Sequence, residues 1–173
     1  MHQLAAIAPF DDDGLLNVVI ETPKGSRNKF TFDPEGGFFR LGGVLPSGAV
    51  FPYDFGFVPG TLGEDGDPLD VLLLMDEPAF PGCVVTCRLL GAIEAGQQGD
   101  DGGMERNDRL VAVAVKSHVH AELESLDDLS ERLIAEIEHF FESYNAMRDR
   151  IFAPVGRAGP ARARRLVEEG ATR

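Results

Sequence analysis

The chain has 173 residues, enough for one compact domain spanning 1–173 and too few for two ordinary domains with separate cores. Its 43% hydrophobic content and lack of low-complexity tracts exclude a disordered chain. A formal net charge of −13 argues against duplex nucleic acid as a partner, because such binding rests largely on basic side chains at phosphates, though a small phosphate is acceptable if divalent cations sit between it and the carboxylates.

In chain order, the N-terminal stretch MHQLAAIAPFDDD lacks a basic region leading into a long apolar one, and no run approaches the roughly 20 apolar residues of a membrane span. The expectation is a cytoplasmic protein with no membrane partner. From Leu15 to about Lys116 the segments LLNVVIET, KFTFD, GFFRL, PLDVLLLM, CVVTCRLLGAI and RLVAVAV are short apolar or alternating runs divided by Gly, Pro and Asp, and they predict strands. With no helices between them, they fit an antiparallel barrel or sandwich and not a doubly wound parallel sheet. Cys83 and Cys87 fit two buried thiols on one strand face better than a disulfide. After Ser130, a helix N-cap, Leu133, Ile134, Ile137, Phe140, Phe141 and Tyr144 repeat at helical spacing. A short second helix is expected from Pro160 to Gly170, with its ARARR segment on a solvated face. The class is therefore α+β, mainly β. Two loops stand out, the Pro-, Gly- and Asp-rich stretch 51–70 and the polar GQQGDDGGMERND, which reads as an exposed hairpin connection.

The first loop carries the chemistry. EDGDPLD places Asp65, Asp67 and Asp70 within six residues, Gly66 permits a tight backbone, and Pro68 stiffens the approach to PLDVLLLM. Because this cluster opens a very apolar strand, Asp70 must sit near the core, where an unpaired charge is costly, and a ligand role is favoured over a solvated turn. An EF-hand is excluded, since counting from Asp65 the fifth and sixth positions are Leu69 and Asp70 and the flanks are strands. Hard oxygen ligands with open positions suit Mg²⁺ shared with substrate phosphates. Lys29, Arg40, Arg109, Arg148 and Arg150 are the cations available for phosphate. His118 and His120 would share a face if KSHVHAE were a strand; a surface or structural role is the simpler expectation for them, and a subunit contact at His139 is equally open.

These motifs resemble the soluble family I inorganic pyrophosphatases from about Val18 to Tyr144. DGDPLDVL matches the family signature, and VIETP, NKFTFD, PGTLGEDGDP, PGCVVTCRLLG, RLVAV and HFFESY follow in the family's order. The resemblance implies a five-stranded OB-like antiparallel barrel flanked by one long and one short C-terminal helix, and a homo-oligomer, typically a hexamer in bacteria. It implies Mg²⁺-dependent hydrolysis of pyrophosphate, with Asp67 activating water, Asp65 and Asp70 binding metal and Glu21 supporting the metal shell. It also places Lys29, Arg109 and Tyr144 on phosphate, Tyr144 at the leaving group. The departures fall mostly on the substrate side: Thr31, Gly43, Phe51, Phe55 and Asn145 stand where the family has Glu, Arg, Tyr, Tyr and Lys. Arg40, three residues upstream of Gly43, is the expected replacement for the missing arginine. Asn107 and Gln97 or Gln98 fall where the family has acidic ligands, so Asp108 is assigned to the metal, which needs a bulge to turn it inward, and Asp100 or Asp101 is a further candidate. Two other readings remain beside pyrophosphate hydrolysis. Phe51 and Phe55 would offer stacking surface to an organic phosphoanhydride, and the lost charges would suit a catalytically weak binding protein.

Overall fold

The computed structural model describes Leu4 and residues 6–171. Along them run β1 (Leu16–Thr22), β2 (Asn28–Asp33), β3 (Phe38–Val44), β4 (Asp54–Phe57), β5 (Asp70–Leu74), β6 (Val84–Gln98), β7 (Met104–Arg106), β8 (Arg109–Ala114), α1 (Glu131–Ala146), β9 (Phe152–Ala158) and α2 (Pro160–Ala171). Hydrogen bonding runs β1–β4–β5–β8–β6 and closes through a β1–β6 pairing, which makes a five-stranded ring. β7 and β9 extend it along the far part of β6, and β2–β3 forms a separate hairpin.

Side-chain alternation explains why the central strands read as unbroken apolar runs. In β5, Leu72 and Leu74 enter one cluster with Phe55, Ile134, Ile137 and Phe141, while Val71 and Leu73 enter a second with Val18, Ile20 and Leu166. In β8, Val111 and Val113 join the first and Leu110 and Ala112 the second. Both faces are therefore covered, one by α1 and the other by α2, and each fully buried Val or Leu stabilises by roughly 1.5–3 kcal/mol. At Gly56 in β4 the backbone passes so close to β1 that a Cβ would lie 2.1 Å from the Val19 carbonyl oxygen, so any side chain there would pry the ring open.

One part of the expected barrel is corrected. β5 and β8 pair in parallel, Asp70 beside Arg109 and Leu74 beside Val113, so the ring is mixed and not wholly antiparallel. The long excursion through β6 and β7 supplies the crossover that a parallel pair requires. The expected hairpin in GQQGDDGGMERND is present between β6 and β7, where Gly99 N–H donates to Gly103 O (2.8 Å). β4 and β9 are strands that the apolar pattern does not announce. Ser130 caps α1 by accepting from Leu133 N–H (3.2 Å), and α2 begins at Pro160 with Arg162 and Arg164 paired to Glu169 and Glu168 on its solvated face. Cys87 is a buried core thiol, while Cys83 is half-buried just ahead of β6, and both are free. His118 and His120 do not share a strand face, because β8 ends at Ala114 and they lie in a turn held by Asp76, whose Oδ2 accepts from His118 N–H (2.9 Å).

Candidate active site

The loop from β4 to β5 is tied at its base and tight at its tip. Val58 N–H donates to Leu69 O (2.9 Å), and the buried Thr61 hydroxyl bridges the same two residues, donating to Val58 O (2.7 Å) and accepting from Leu69 N–H (3.1 Å). At the tip Gly63 N–H donates to Asp67 O (2.7 Å), Asp67 N–H donates to Asp65 Oδ1 (3.2 Å), and Gly66 has φ of +86°, a left-handed conformation that favours glycine. This fold-back holds Asp67 beside Asp70, the first residue of β5.

Asp67 and Asp70 line a cavity of about 350 Å³ together with Glu21 from β1 and Lys29 and Thr31 from β2. Phe32 stacks on Phe57 with ring centroids 5.6 Å apart, which seats the β2–β3 hairpin over the ring and brings Lys29 in. Lys29 also lines a neighbouring cavity of about 170 Å³ with Gly43, Tyr144 and Arg148. Arg148 donates to the Tyr144 hydroxyl there (3.1 Å). One lysine thus stands between the carboxylate cavity and the phenol.

Glu21, Asp65 and Asp67 are held above their ordinary pKa. Burial is the main cause for Glu21, pushed up to about 7 against the opposing Phe32 N–H (2.7 Å to Oε1) and Lys29, with Asp70 and Asp67 adding repulsion. Asp65 and Asp67 are raised by burial first, and then by their carboxylate neighbours. A cluster of hard oxygens that resists its own negative charge fits a divalent cation. Among the described residues no three His, Cys, Asp or Glu side chains form a ready-made cage, which accords with the habit of Mg²⁺ to use few carboxylates and complete its shell with water and phosphate oxygens.

A second network adjoins the first at Asp70. Parallel register sets Arg109 beside Asp70, and Nη1 lies 2.7 Å from Asp70 Oδ2. The same guanidinium donates to Asn107 Oδ1 and to Gln97 Oε1 (2.8 Å), while Asn107 Nδ2 donates to Asp65 Oδ2 (2.7 Å). Arg109 is 4% exposed and lies 5.1 Å from the ring centroids of both Phe141 and Phe152.

Several expectations are corrected by this geometry. Asp108 faces away from the carboxylate cavity: its oxygens accept from Ala95 N–H (3.1 Å) and Arg106 Nε (2.8 Å), and Asn107 is the residue that turns toward Asp65. Plain alternation wins and no bulge turns Asp108 inward. Arg40 is 63% exposed and pairs with Asp33 (2.9 Å) on the hairpin, so it does not fill the place opened by Gly43, which faces Arg148 across the smaller cavity. Asp100 pairs with Arg150, and Asp101 accepts from Gly103 N–H (2.8 Å) within its own turn. Phe51 and Phe55 are 1% and 4% exposed and belong to the core, so neither offers a stacking face. Asn145 is buried too, donating to Phe141 O (2.9 Å). Sequence reasoning missed Thr61, which carries no signal in a loop, and the joint engagement of Gln97 and Asn107. It could have preferred Arg148 to Arg40, because Arg148 follows Tyr144 by four residues, about one helical turn.

Comparison with known proteins gives consistent findings. A family model described as "Inorganic pyrophosphatase" matches residues 18–173. A protein of Synechocystis sp. named inorganic pyrophosphatase is 41% identical over 156 residues, covering 90% of this chain and 89% of that one. Another of that name from Streptomyces coelicolor is 44% identical over 128 residues, covering 74% and 76%. Among solved structures, the inorganic pyrophosphatase from Thermus thermophilus matches with a TM-score of 0.89 at 31% identity, covering 98% of this chain and 97% of that one.

Proposed function

The chain belongs to the inorganic pyrophosphatase family, and we propose that it hydrolyses inorganic pyrophosphate to two orthophosphates with Mg²⁺ as cofactor. The observation that carries this reading is the shared cavity of Glu21, Lys29, Asp67 and Asp70, with Lys29 also reaching the space beside Tyr144. Asp65, the third expected ligand, lies outside the lining of the shared cavity and accepts from Asn107, while Glu21 and Asp70, which line it, are the residues that would hold the metal. Bound there, a divalent cation neutralises phosphate charge and lowers the pKa of water.

The chain's own side chains supply the rest. Asp67, on a loop tip beside Asp70, takes the proton of the attacking water as general base. Lys29 grips a phosphate oxygen from a position between the two cavities. Tyr144 presents its O–H to the departing phosphate, where negative charge grows as the bridging bond breaks, and Arg148, bonded to that hydroxyl, holds the same phosphate from the bound state onward. Arg109 reaches this charge through Asp70 and not by a free guanidinium. The same reading includes a homo-oligomer, hexameric if it follows bacterial members, and a cytoplasmic location; no described helix is long and apolar enough to cross a membrane.

The test is phosphate release from pyrophosphate with and without Mg²⁺, beside Asp67→Asn and an ATP control. Expected is metal-dependent turnover that prefers pyrophosphate and falls by about 10²–10⁴-fold in the variant, the usual range for a lost general base. Full activity in Asp67→Asn would remove the assigned base. Binding of pyrophosphate without turnover would instead favour the catalytically weak relative. Hydrolysis of an organic phosphoanhydride is less supported, since its motive was a stacking surface at Phe51 and Phe55.

A further inference from the structure

The charges around the site do not divide evenly. Glu21, Asp65 and Asp67 all feel the field of Asp70, but the cation that opposes it is Lys29 for Glu21 and Asp67, and Arg109, linked through Asn107, for Asp65. Four carboxylates against two cations leave two negative charges, the charge of one divalent ion. Arg109 is also placed where its charge is hard to dispense with. Its Nε is buried without an acceptor, and a cation shut away from water is costly unless an opposite charge pairs with it. What repays that cost is the carboxylate of Asp70, backed by the neutral oxygens of Asn107 and Gln97.

We infer that Arg109 is a built-in cation that occupies the Asp65–Asp70 side of the pocket and restricts the substrate-free protein to a single tightly held divalent ion, on the Glu21–Asp67–Asp70 side. This rests on the acidic pocket being the metal pocket of the proposed function. The amides fit this role because they are neutral: Asn107 accepts from Arg109 through its oxygen and donates to Asp65 through its nitrogen, linking cation to carboxylate with no added charge. A carboxylate at 107 would lose the donor to Asp65 and raise the net charge of the pocket from two to three negative.

The experiment is Mn²⁺ titration of the metal-stripped protein without pyrophosphate, with free Mn²⁺ read by electron paramagnetic resonance. The wild-type chain is expected to bind one Mn²⁺ tightly. Arg109→Gln, verified as folded by its circular dichroism, is expected to bind a second ion or to bind the first at least about tenfold more tightly, a change of about 1.4 kcal/mol. Asn107→Asp keeps the guanidinium and adds charge, so it reports even if Arg109→Gln does not fold, and the same direction is expected. Two tight ions in the wild type, or an unchanged isotherm in Asn107→Asp, would overturn the inference. Turnover does not enter this readout, so a wild type that binds one Mn²⁺ without cleaving pyrophosphate would refute the proposed activity while supporting the role of Arg109.

Discussion

The two sides of the pocket meet at Asp70 and handle charge in opposite ways. On the Glu21–Asp67 side, carboxylates crowd a cavity with one lysine at its edge, and burial and mutual repulsion hold them above their ordinary pKa. On the Arg109 side, one guanidinium meets one carboxylate and two amide oxygens in a nearly dry setting. The first side is left incomplete, so it will draw in a cation from solution. The second already holds its own cation and adds rigidity where the first needs positioning. The difference teaches that an acidic surface does not fix metal number, because side chains placed by strand register can take over part of the neutralisation.

The largest effect is expected from Asp70→Asn, which strikes both sides together. The Arg109 guanidinium would lose its carboxylate partner, with a stability loss of about 2–3 kcal/mol. Turnover should fall by about 10²-fold or more as the metal pocket loses a carboxylate. Urea denaturation and phosphate release on the same preparation measure the two losses. A variant of normal stability would show that Asn107 and Gln97 suffice to hold the guanidinium.

An intermediate effect separates the sides by pH. Glu21 is raised from its ordinary 4.5 to about 7 in the fold, so across that window the folded chain binds more protons than the unfolded one. Its contribution is therefore fully present below about 4.5, and stability falls as pH rises toward 7. In metal-free protein Glu21→Gln should remove this slope and stabilise the chain by about 2 kcal/mol above pH 7, while a divalent cation should stabilise the wild type more than the variant. Urea midpoints from pH 4 to 8, with and without Mg²⁺, test it. An identical slope in both proteins would mean that the repulsion arises elsewhere.

How far the sequence shows this arrangement depends on the range of each contact. Asp65, Asp67 and Asp70 are legible because six residues hold all three and a fully apolar strand follows. The two helices are legible from Ser130 and Pro160 and from their apolar spacing, since those signals are local. The parallel pairing of β5 with β8 is not, because alternation reveals which faces are buried but not which strand lies beside which. Asp108 shows local logic set aside too readily: alternation already opposed it to Asn107, and the structure keeps that order. Asp54 escaped notice altogether, although its buried carboxylate accepts from Lys24 N–H (2.7 Å) and Ala79 N–H (2.8 Å) and pins two loops. Those partners are 30 and 25 residues away, beyond the reach of any spacing rule.

The smallest effects discriminate between two arginines near the phosphate side. Arg148 shares a cavity with Lys29 and hydrogen-bonds Tyr144, whereas Arg40 spends its guanidinium on Asp33 and the Phe38 ring in open solvent. Arg148→Ala should raise KM for pyrophosphate by about five- to tenfold with a smaller change in kcat, as for a contact made equally in ground and transition states. Arg40→Ala should leave both constants within about twofold and cost less than about 0.5 kcal/mol, because an exposed ion pair contributes little. Since each variant removes one positive charge, general electrostatic attraction would weaken in both and would fade with added salt. A KM change confined to Arg148→Ala and retained at 0.5 M salt therefore marks a direct contact. The reverse pattern would mean that the β2–β3 hairpin swings Arg40 onto the substrate and that Asp33 holds it only until substrate arrives.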